Sequence, residues 1–272
     1  MDDTQYYCLD MDRNYLSFSS VKALETCQAA HMAKLYDGYV KPDNNAEHFL
    51  VGKLTEALVT DQAEFDRLLK EHESELISTR GATKGYLKAA FKPVYEYADA
   101  LKKQDAVMEL LDTNNQPVFL FKFAGYPFKA KLDAYKPGSH IADLKTTKED
   151  IMGLVWCPEM GCKVPWWQKS RYELQAALYQ EAVRQQTGEK LPYFIVGVQK
   201  QNDGAPNVDI VEVPQDLMDR TLESLEHSLE VIGPVWLRQE EPQKCMVCHH
   251  CRSTKVLESV LRTQEVDHVS SA

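Results

Sequence analysis

Two aspartates and a lysine near the middle of the chain have the types and spacing that could cut a phosphodiester bond. Asp133 precedes Asp143-Leu144-Lys145 by ten residues, and a Lys-Pro-Gly turn separates the two stretches. Hard divalent cations prefer carboxylate oxygens, and a nearby ammonium can steer a water molecule or a phosphate. Because side chains alternate along a strand, Asp143 and Lys145 would point to the same face.

The triplet alone is a weak signal, since a chain of average composition and this length contains roughly one or two D/E-x-K triplets by chance. The alternative is a surface strand with alternating charges. Its surroundings strengthen the chemical interpretation: residues 122–148 contain six lysines and two acids, a net charge of +4 in a chain of net charge −10. The overall charge argues against a generally basic nucleic-acid coat but is compatible with DNA binding in a local groove.

Hydrophobic periodicity predicts the elements that would position these residues. It indicates helices over 21–35, 46–59, 62–77 and, interrupted by Pro93, 83–112. The pattern then predicts strands over 118–123, 128–135 and 140–146, a loop over 153–167, a helix over 169–186, strands over 191–199 and 208–213, and a helix over 215–232. This order predicts an α/β fold with a mixed central β-sheet flanked by helices.

The seven cysteines suggest a second site. Their odd number in a chain with no apolar run after its first residues favours metal ligation or free thiols over disulfides. Cys245, Cys248 and Cys251 follow one another at two x₂ spacings, which predicts metal binding. Spacing does not identify a fourth ligand, and His249 or His250 could complete a Cys₃His zinc site. The remaining cysteines carry no such signal: free thiols are favoured at Cys157 and Cys162, and Cys8 has no assignment.

One helix adds a weaker signal. Gln175 and Tyr179 are spaced four residues apart, so they would share a helix face. By itself this pattern is typical of an ordinary amphipathic helix, and it gains meaning only beside the strand motif.

The ordered set of Glu56, Asp133, Asp143-Leu144-Lys145 and Gln175-x-x-x-Tyr179 resembles the PD-(D/E)-x-K nuclease superfamily, in particular the RecB/RecE-like exonucleases of phages and prophages. The match covers about residues 16–255. Smaller matching pieces are Ser19-x-x-Lys22-x-Leu24-x-x-Cys27, Val51-Gly52-x-x-x-Glu56-Ala57, Gly125-x-Pro127-x-Lys129-x-Lys131-x-Asp133 and Tyr172-x-Leu174-Gln175-x-Ala177-x-Tyr179-Gln180.

The resemblance implies a single nuclease domain over 1–255, with a restriction-endonuclease-like core at about 44–232. It implies that Glu56, Asp133, Asp143 and the Leu144 carbonyl hold Mg²⁺ or Mn²⁺, and that Lys145 orients the attacking water. Glu56 stands where many relatives carry histidine, a change that a hard cation should accept. The remaining implied roles are positioning of the DNA backbone by Gln175 and Tyr179, and DNA contacts by Lys129, Lys131 and Lys148.

The resemblance also implies a fourth thiol. In iron–sulfur members of this group an early cysteine joins a C-terminal trio, which would place Cys27 with Cys245, Cys248 and Cys251 around a [4Fe–4S] cluster, with Zn²⁺ as the alternative. The polar tail over 256–272 is expected to be disordered. Trp156, Trp166 and Trp167 could stack on a frayed DNA end or fill the core.

The expected function is therefore a metal-dependent exonuclease acting on duplex or single-stranded DNA ends, in phage-type recombination with a single-strand annealing protein. The alternatives are an end-trimming or structure-specific endonuclease of the CRISPR-adaptation type and a catalytically inactive, metal-stapled DNA-binding module. No apolar stretch reaches the length of a membrane span, so a bacterial cytoplasmic location is expected. An oligomer is compatible with the sequence.

Overall fold

The computed structural model describes residues 3–42, 46–113, 116–201 and 205–256. Two 3₁₀ turns, Gly81–Thr83 and Ala89–Phe91, lie between the helices. The α-helices are α1 (Asp3–Tyr6), α2 (Leu9–Asn14), α3 (Phe18–Thr26), α4 (Gln28–Tyr36), α5 (Ala46–Thr60), α6 (Gln62–Glu71), α7 (Glu73–Leu76), α8 (Pro93–Lys102), α9 (Asp105–Leu111), α10 (Trp166–Lys169), α11 (Tyr172–Thr187), α12 (Gln215–Trp236) and α13 (His249–Ser253). The strands are β1 (Val118–Phe123), β2 (Tyr126–Lys131), β3 (Ala134–Lys136), β4 (His140–Thr147), β5 (Leu154–Cys157), β6 (Cys162–Pro165), β7 (Tyr193–Gln199) and β8 (Asn207–Glu212).

The central sheet has four strands in the order β3-β4-β7-β8. The β4–β7 pair is parallel and the two outer pairs are antiparallel, so the predicted mixed sheet is confirmed. Helix α11 makes the crossover between the parallel strands. Strands β1 and β2 form a separate hairpin, which an isolated bridge between Leu16 and Phe128 joins to the N-terminal segment.

Helices cover both faces of the sheet, which confirms the predicted α/β layering. On one face Ile141 and Ile195 belong to the same buried cluster as Leu178 of α11 and Leu225 of α12. On the other face a second buried cluster contains Leu144 of β4 and Val196 of β7. They pack with apolar residues from α5, α8 and α9. Because both faces are buried, the two middle strands are apolar on both sides, and polar side chains there are exceptions with local partners.

The helix predicted over 21–35 is interrupted. Cys27 has an extended backbone, with φ −165° and ψ 104°, and separates α3 from α4. Ser17 caps α3, and its side chain accepts the Ser20 N–H. The break falls at the residue whose buried thiol lies 3.5 Å from that of Cys251.

Two β predictions also change. The strand predicted over 128–135 is divided after Lys131, and Asp133 lies in the short break before β3. The loop predicted over 153–167 is instead the β5–β6 hairpin followed by α10, with Trp156 paired to Lys163 and Cys157 to Cys162 across the strands. Alternation over four residues is too short to distinguish such a strand from a loop.

Several boundaries follow directly from local chemistry. Asp61 caps α6, its carboxylate accepting the Ala63 and Glu64 N–H groups. Pro93 occupies the first turn of α8, where a missing N–H costs nothing. Gly188 ends α11 with φ +81°, a conformation that favours glycine. In the described part of the chain, no helix combines the length and apolarity needed to cross a membrane. The tail predicted over 256–272 lies outside the described residues except for exposed Val256.

Candidate active site and metal centre

Strand β4 places Asp143 and Lys145 together, as the alternation predicted. Asp143 is 1% exposed, and its Oδ2 lies 2.5 Å from Lys145 Nζ. The Leu144 side chain points to the opposite face and packs in the cluster shared with α5, α8 and α9. Burial alone would lower the pKa of Lys145, but the carboxylates of Asp143 and Asp133 raise it, so the ammonium keeps its charge.

Helix α11 supplies the polar contacts to this pair. Gln175 Nε2 donates a 2.7 Å hydrogen bond to Asp143 Oδ1, which fixes the orientation of the buried carboxylate. The ring of Tyr172 lies 5.0 Å from Lys145 Nζ, a cation–π distance. Tyr179 packs on Tyr193, and burial raises its pKa well above the ordinary value, with nearby Tyr6 and Asp143 adding to the effect. Its hydroxyl therefore stays protonated and able to donate a hydrogen bond.

Glu56 and Asp133 complete an acidic trio with Asp143. Burial raises the pKa of Glu56 to about 7, and the charge of Asp143 adds to this effect. Burial, Asp143 and Glu56 together raise the pKa of Asp133 well above its usual range. The three carboxyls thus lie close enough for their charges to repel one another. Gln116 Nε2 donates a hydrogen bond of 2.5 Å to Glu56 Oε1.

A divalent cation fits this donor set. Three buried or half-buried carboxyl groups that repel each other are stabilised by a positive charge between them, and oxygen donors suit Mg²⁺ or Mn²⁺. Lys145 already provides one positive charge to Asp143. The carboxylates are not gathered as tightly as the thiols described below, since among the described residues only the thiols form a set of three or more ligand atoms within 4.8 Å of one another.

The lysines predicted to contact DNA fall in three different environments. Lys129 is 3% exposed, donates to the Tyr6 carbonyl at 2.6 Å and lies 2.8 Å from Asp12, so it holds the N-terminal helices and is withdrawn from the surface. Lys131 is half-buried and lowers the pKa of Glu56. Lys148 is exposed just beyond β4.

The three tryptophans also separate. Trp166 and Trp167 are 2% and 8% exposed and belong to the core, so base stacking is excluded for them. Trp156 is 56% exposed on the β5–β6 hairpin.

The second site joins the two ends of the described chain. The Cys27, Cys245, Cys248 and Cys251 thiols all lie within 4.8 Å of one another. Cys248 caps α13, and its sulfur accepts the Cys251 N–H. Beside the thiols, Gln243 exchanges hydrogen bonds with α4: its N–H donates to Gln28 Oε1 and its carbonyl accepts the Ala29 N–H.

The sulfur positions have the size of a single tetrahedral metal site. The Sγ–Sγ distances are 3.5 Å from Cys27 to Cys251, 3.7 Å from Cys27 to Cys248 and 3.9 Å from Cys245 to Cys251. Four sulfurs at about 2.3 Å from one zinc ion lie about 3.8 Å apart. An iron–sulfur cube places metal and sulfide atoms between the thiolates and needs them farther apart.

The pKa values of the thiols differ across the set: burial raises the pKa of Cys27 to about 12 and also raises that of Cys248. Burial alone would raise the pKa of Cys245, but N–H donors from Cys248 and Val247 lower it to about 6. Thiolate is the form that binds metal. His249 and His250 pack on the ring of Tyr39 instead of joining the thiols.

Sequence reasoning missed two residues that border the acidic trio. Lys53 lies one helical turn before Glu56 on α5 and lowers the pKa of that carboxyl. The i, i+3 spacing to Glu56 was the available signal. The ring of Tyr172 contacts the Lys145 ammonium, and nothing in the spacing of Tyr172 along the sequence indicated that contact.

Comparison with known proteins identifies the family to which the chain is similar. The model of a family described as a PDDEXK-like domain of unknown function, DUF3799, matches residues 17–254. The crystal structure of a "Putative exonuclease" from Eubacterium rectale is similar, with 28% identity and a TM-score of 0.86 over 98% of this chain and 97% of that chain. The structure of SSO0001 matches at 12% identity and a TM-score of 0.30, covering 89% of this chain and 96% of that one, and carries no argument. No curated protein matches the chain.

Proposed function

Because the chain belongs to the PDDEXK-like family DUF3799, we propose that it is a DNA exonuclease that uses Mg²⁺ or Mn²⁺ to hydrolyse phosphodiester bonds at the ends of linear DNA. Family membership and the likeness to the Eubacterium rectale protein support a nuclease. The exonuclease mode, the metal and the DNA substrate are parts of the proposal.

The observation that carries the proposal is the arrangement around Asp143. This buried carboxylate is held by Gln175 on one oxygen and faces the Lys145 ammonium with the other, while Glu56 and Asp133 add two repelling carboxyls. Such an arrangement suits a cation and a phosphate, since it keeps negative ligands and one positive charge fixed before the substrate arrives.

Each residue then has a separate role. Glu56, Asp133 and Asp143, with the Leu144 carbonyl, would hold the cation, which lowers the pKa of a bound water and neutralises charge on the phosphate. Lys145, held over the Tyr172 ring, orients the nucleophile and offsets the charge that develops on the phosphate oxygens. Gln175 fixes the Asp143 carboxylate, and the neutral Tyr179 hydroxyl donates to the DNA backbone. Lys131 and exposed Lys148 attract the phosphates around the site.

The test compares two lysine variants on linear and circular DNA. Lys145→Met should abolish release of nucleotides from end-labelled linear DNA in Mg²⁺ or Mn²⁺, whereas Lys148→Met, which removes the same charge from the exposed end of β4, should lower the rate only modestly. If wild-type protein leaves linear and circular DNA intact with both metals, the nuclease proposal fails.

A closed circular single strand separates the exonuclease from the endonuclease alternative, because only an endonuclease can open it. Cleavage of the circle would replace exonuclease by end-trimming or structure-specific endonuclease. Tight binding of DNA without cleavage, unchanged by Asp143→Ala, would favour the inactive DNA-binding module.

At the second site, we propose a structural metal on Cys27, Cys245, Cys248 and Cys251. The sulfur separations favour one tetrahedral ion such as Zn²⁺ over the [4Fe–4S] cluster that the resemblance implies. Metal analysis and the visible spectrum of anaerobically purified protein distinguish the two. One zinc per chain and a colourless protein are expected; a brown protein with four irons would reverse the assignment.

The biological setting extends the same proposal. A nuclease that resects linear ends would supply single strands to an annealing protein, as in phage-type recombination. Co-expression checks this partner: the affinity-tagged chain should retain a single-strand annealing protein encoded beside it after nuclease treatment of the lysate. An unrelated single-strand-binding protein, expressed in the same way, should not be retained.

A further inference from the structure

Two exposed aromatic rings and two lysines form a cluster on the segments next to the acidic trio. Tyr7 follows α1 and is 52% exposed, and Phe49 lies on α5 and is 60% exposed. Lys53 Nζ lies 5.5 Å from the centre of the Tyr7 ring and 5.8 Å from that of Phe49. Lys131 Nζ approaches the Tyr7 ring at 6.0 Å. We call these four residues the aromatic–basic rim.

The rim is continuous with the proposed active site. Phe49, Lys53 and Glu56 follow one another at i, i+4 and i, i+3 spacings, so they lie along one side of α5. Lys131 comes two residues before Asp133 and at the end of β2. Both lysines therefore belong to the segments that carry two of the trio's carboxyls.

The Tyr7 end of the rim is anchored to the core. The preceding residue, Tyr6, is 6% exposed, and its carbonyl accepts a hydrogen bond from the buried Lys129 ammonium. The rings of Tyr6 and Tyr7 meet edge to face at 4.9 Å. A ring that is half exposed but held by its buried neighbour loses little entropy when a ligand stacks on it.

We propose that the aromatic–basic rim binds an unpaired nucleotide of the strand whose phosphate enters the acidic trio: the base stacks on Tyr7 and Phe49, and Lys53 and Lys131 contact the adjoining phosphates. This inference deepens the proposed function and depends on it. Aromatic faces beside ammonium groups are the combination that single-stranded nucleic acid requires, because every base has a π-face and every linkage a negative charge. In a closed duplex end only the last base pair exposes a face for stacking. The rim therefore favours ends that are frayed or single-stranded.

Nucleotide stacking can be measured without cleavage. Short single strands carrying 2-aminopurine at one end or the other are titrated with the full-length protein in buffer free of added divalent cations. Wild-type protein should quench the probe fluorescence, and Tyr7→Phe, which retains an aromatic ring, should behave in the same way. Tyr7→Leu and Phe49→Leu should lose most of the quenching and bind on the order of 10-fold more weakly.

The lysines and a control complete the test. Lys53→Gln should retain the quenching but reduce the slope of log affinity against log salt by about 1. Tyr86→Leu changes a tyrosine that is 69% exposed in the turn after α7 and should change neither reading. Because Phe49 is an exposed helix residue, its leucine variant should fold, so its result decides the question even if Tyr7→Leu is unstable.

The outcomes separate this inference from the proposed function. If Phe49→Leu and Tyr7→Leu quench and bind as wild type does while wild-type protein still cleaves linear DNA, the rim proposal is overturned and the nuclease stands. If wild-type protein binds and quenches the probe but cleaves no DNA in Mg²⁺ or Mn²⁺, the nuclease fails and with it the role of the rim in cleavage, and only base stacking at the rim is retained.

Discussion

The raised pKa of Glu56 makes a quantitative prediction about folding stability. Its carboxyl has a pKa of about 7 in the folded chain against an ordinary value of 4.5. Between these pH values the folded chain binds the proton more tightly than the unfolded chain. The stability that this proton contributes is therefore complete below pH 4.5 and is lost as the pH rises through 7.

The variant Glu56→Gln keeps the shape of the protonated acid but cannot ionise. At about 1.4 kcal/mol per pH unit, the difference between 4.5 and about 7 corresponds to about 3 kcal/mol. The variant should match wild type at pH 4.5 and exceed its free energy of unfolding by about 3 kcal/mol at pH 8. Relief of the repulsion on Asp133 acts in the same direction.

The assay is urea unfolding at pH 4.5 and 8, in buffer depleted of free divalent cations but without a chelator, so that the thiol site keeps its metal. Glu226→Gln, an exposed change on α12, serves as the control and should show no pH-dependent difference. Adding Mg²⁺ at pH 8 should stabilise wild type more than Glu56→Gln. If the free energies of unfolding of variant and wild type differed by the same amount at pH 4.5 and pH 8, the assignment of Glu56 to a trio of mutually repelling carboxyls would be refuted.

Three further predictions follow from the packing and the sites. Gln175→Leu removes a hydrogen bond to the buried Asp143 carboxylate and should slow DNA cleavage roughly 10-fold or more. The control is Gln180→Leu, on the same helix, whose side chain is hydrogen-bonded to Leu191 and Gln215. This variant should lower the melting temperature without slowing cleavage by the folded protein. Cys27→Ser should lose the metal at the thiol site, and Cys157→Ser, a comparably buried change, should retain it by elemental analysis; equal metal contents would contradict the four-thiol site. Gly197→Ala would place a Cβ 2.7 Å from the buried Trp166 ring and should cost about 1–3 kcal/mol in urea unfolding, while Gly52→Ala, with its nearest neighbour at 3.6 Å, should be neutral or stabilising. A neutral Gly197→Ala would show that Trp166 can move aside.

The long periodic elements were predictable because their patterns are local. The strand carrying Asp143 and Lys145 and the helix carrying Gln175 were predicted from alternation and helical spacing, and their packing against each other follows from the crossover. The family resemblance supplied the order in which distant pieces were expected to meet, and the family match confirms the resemblance itself at the level of the superfamily.

The wrong predictions share one cause, since tertiary contacts determine the conformation or burial of the residues concerned. Cys27 interrupts a sequence with good helical periodicity because its thiol faces Cys251 across the fold. Lys129 looked like a surface cation on an alternating strand, but the Tyr6 carbonyl and Asp12 bury it. Partners more than a hundred residues away leave no trace in a local pattern, so such residues are assigned only when the fold is known.

The thiol site also limits how early in synthesis the chain can bind its structural metal. One of its four sulfurs is made early, at Cys27, and the other three only at positions 245–251. During synthesis the N-terminal helices, including the segment that carries Tyr7, therefore lack their metal link to the C-terminal thiols until Cys251 has left the ribosome. A chain truncated before residue 245 would retain every proposed catalytic residue and yet lack three of the four thiols, so metal bound at this site would show that synthesis had passed Cys251.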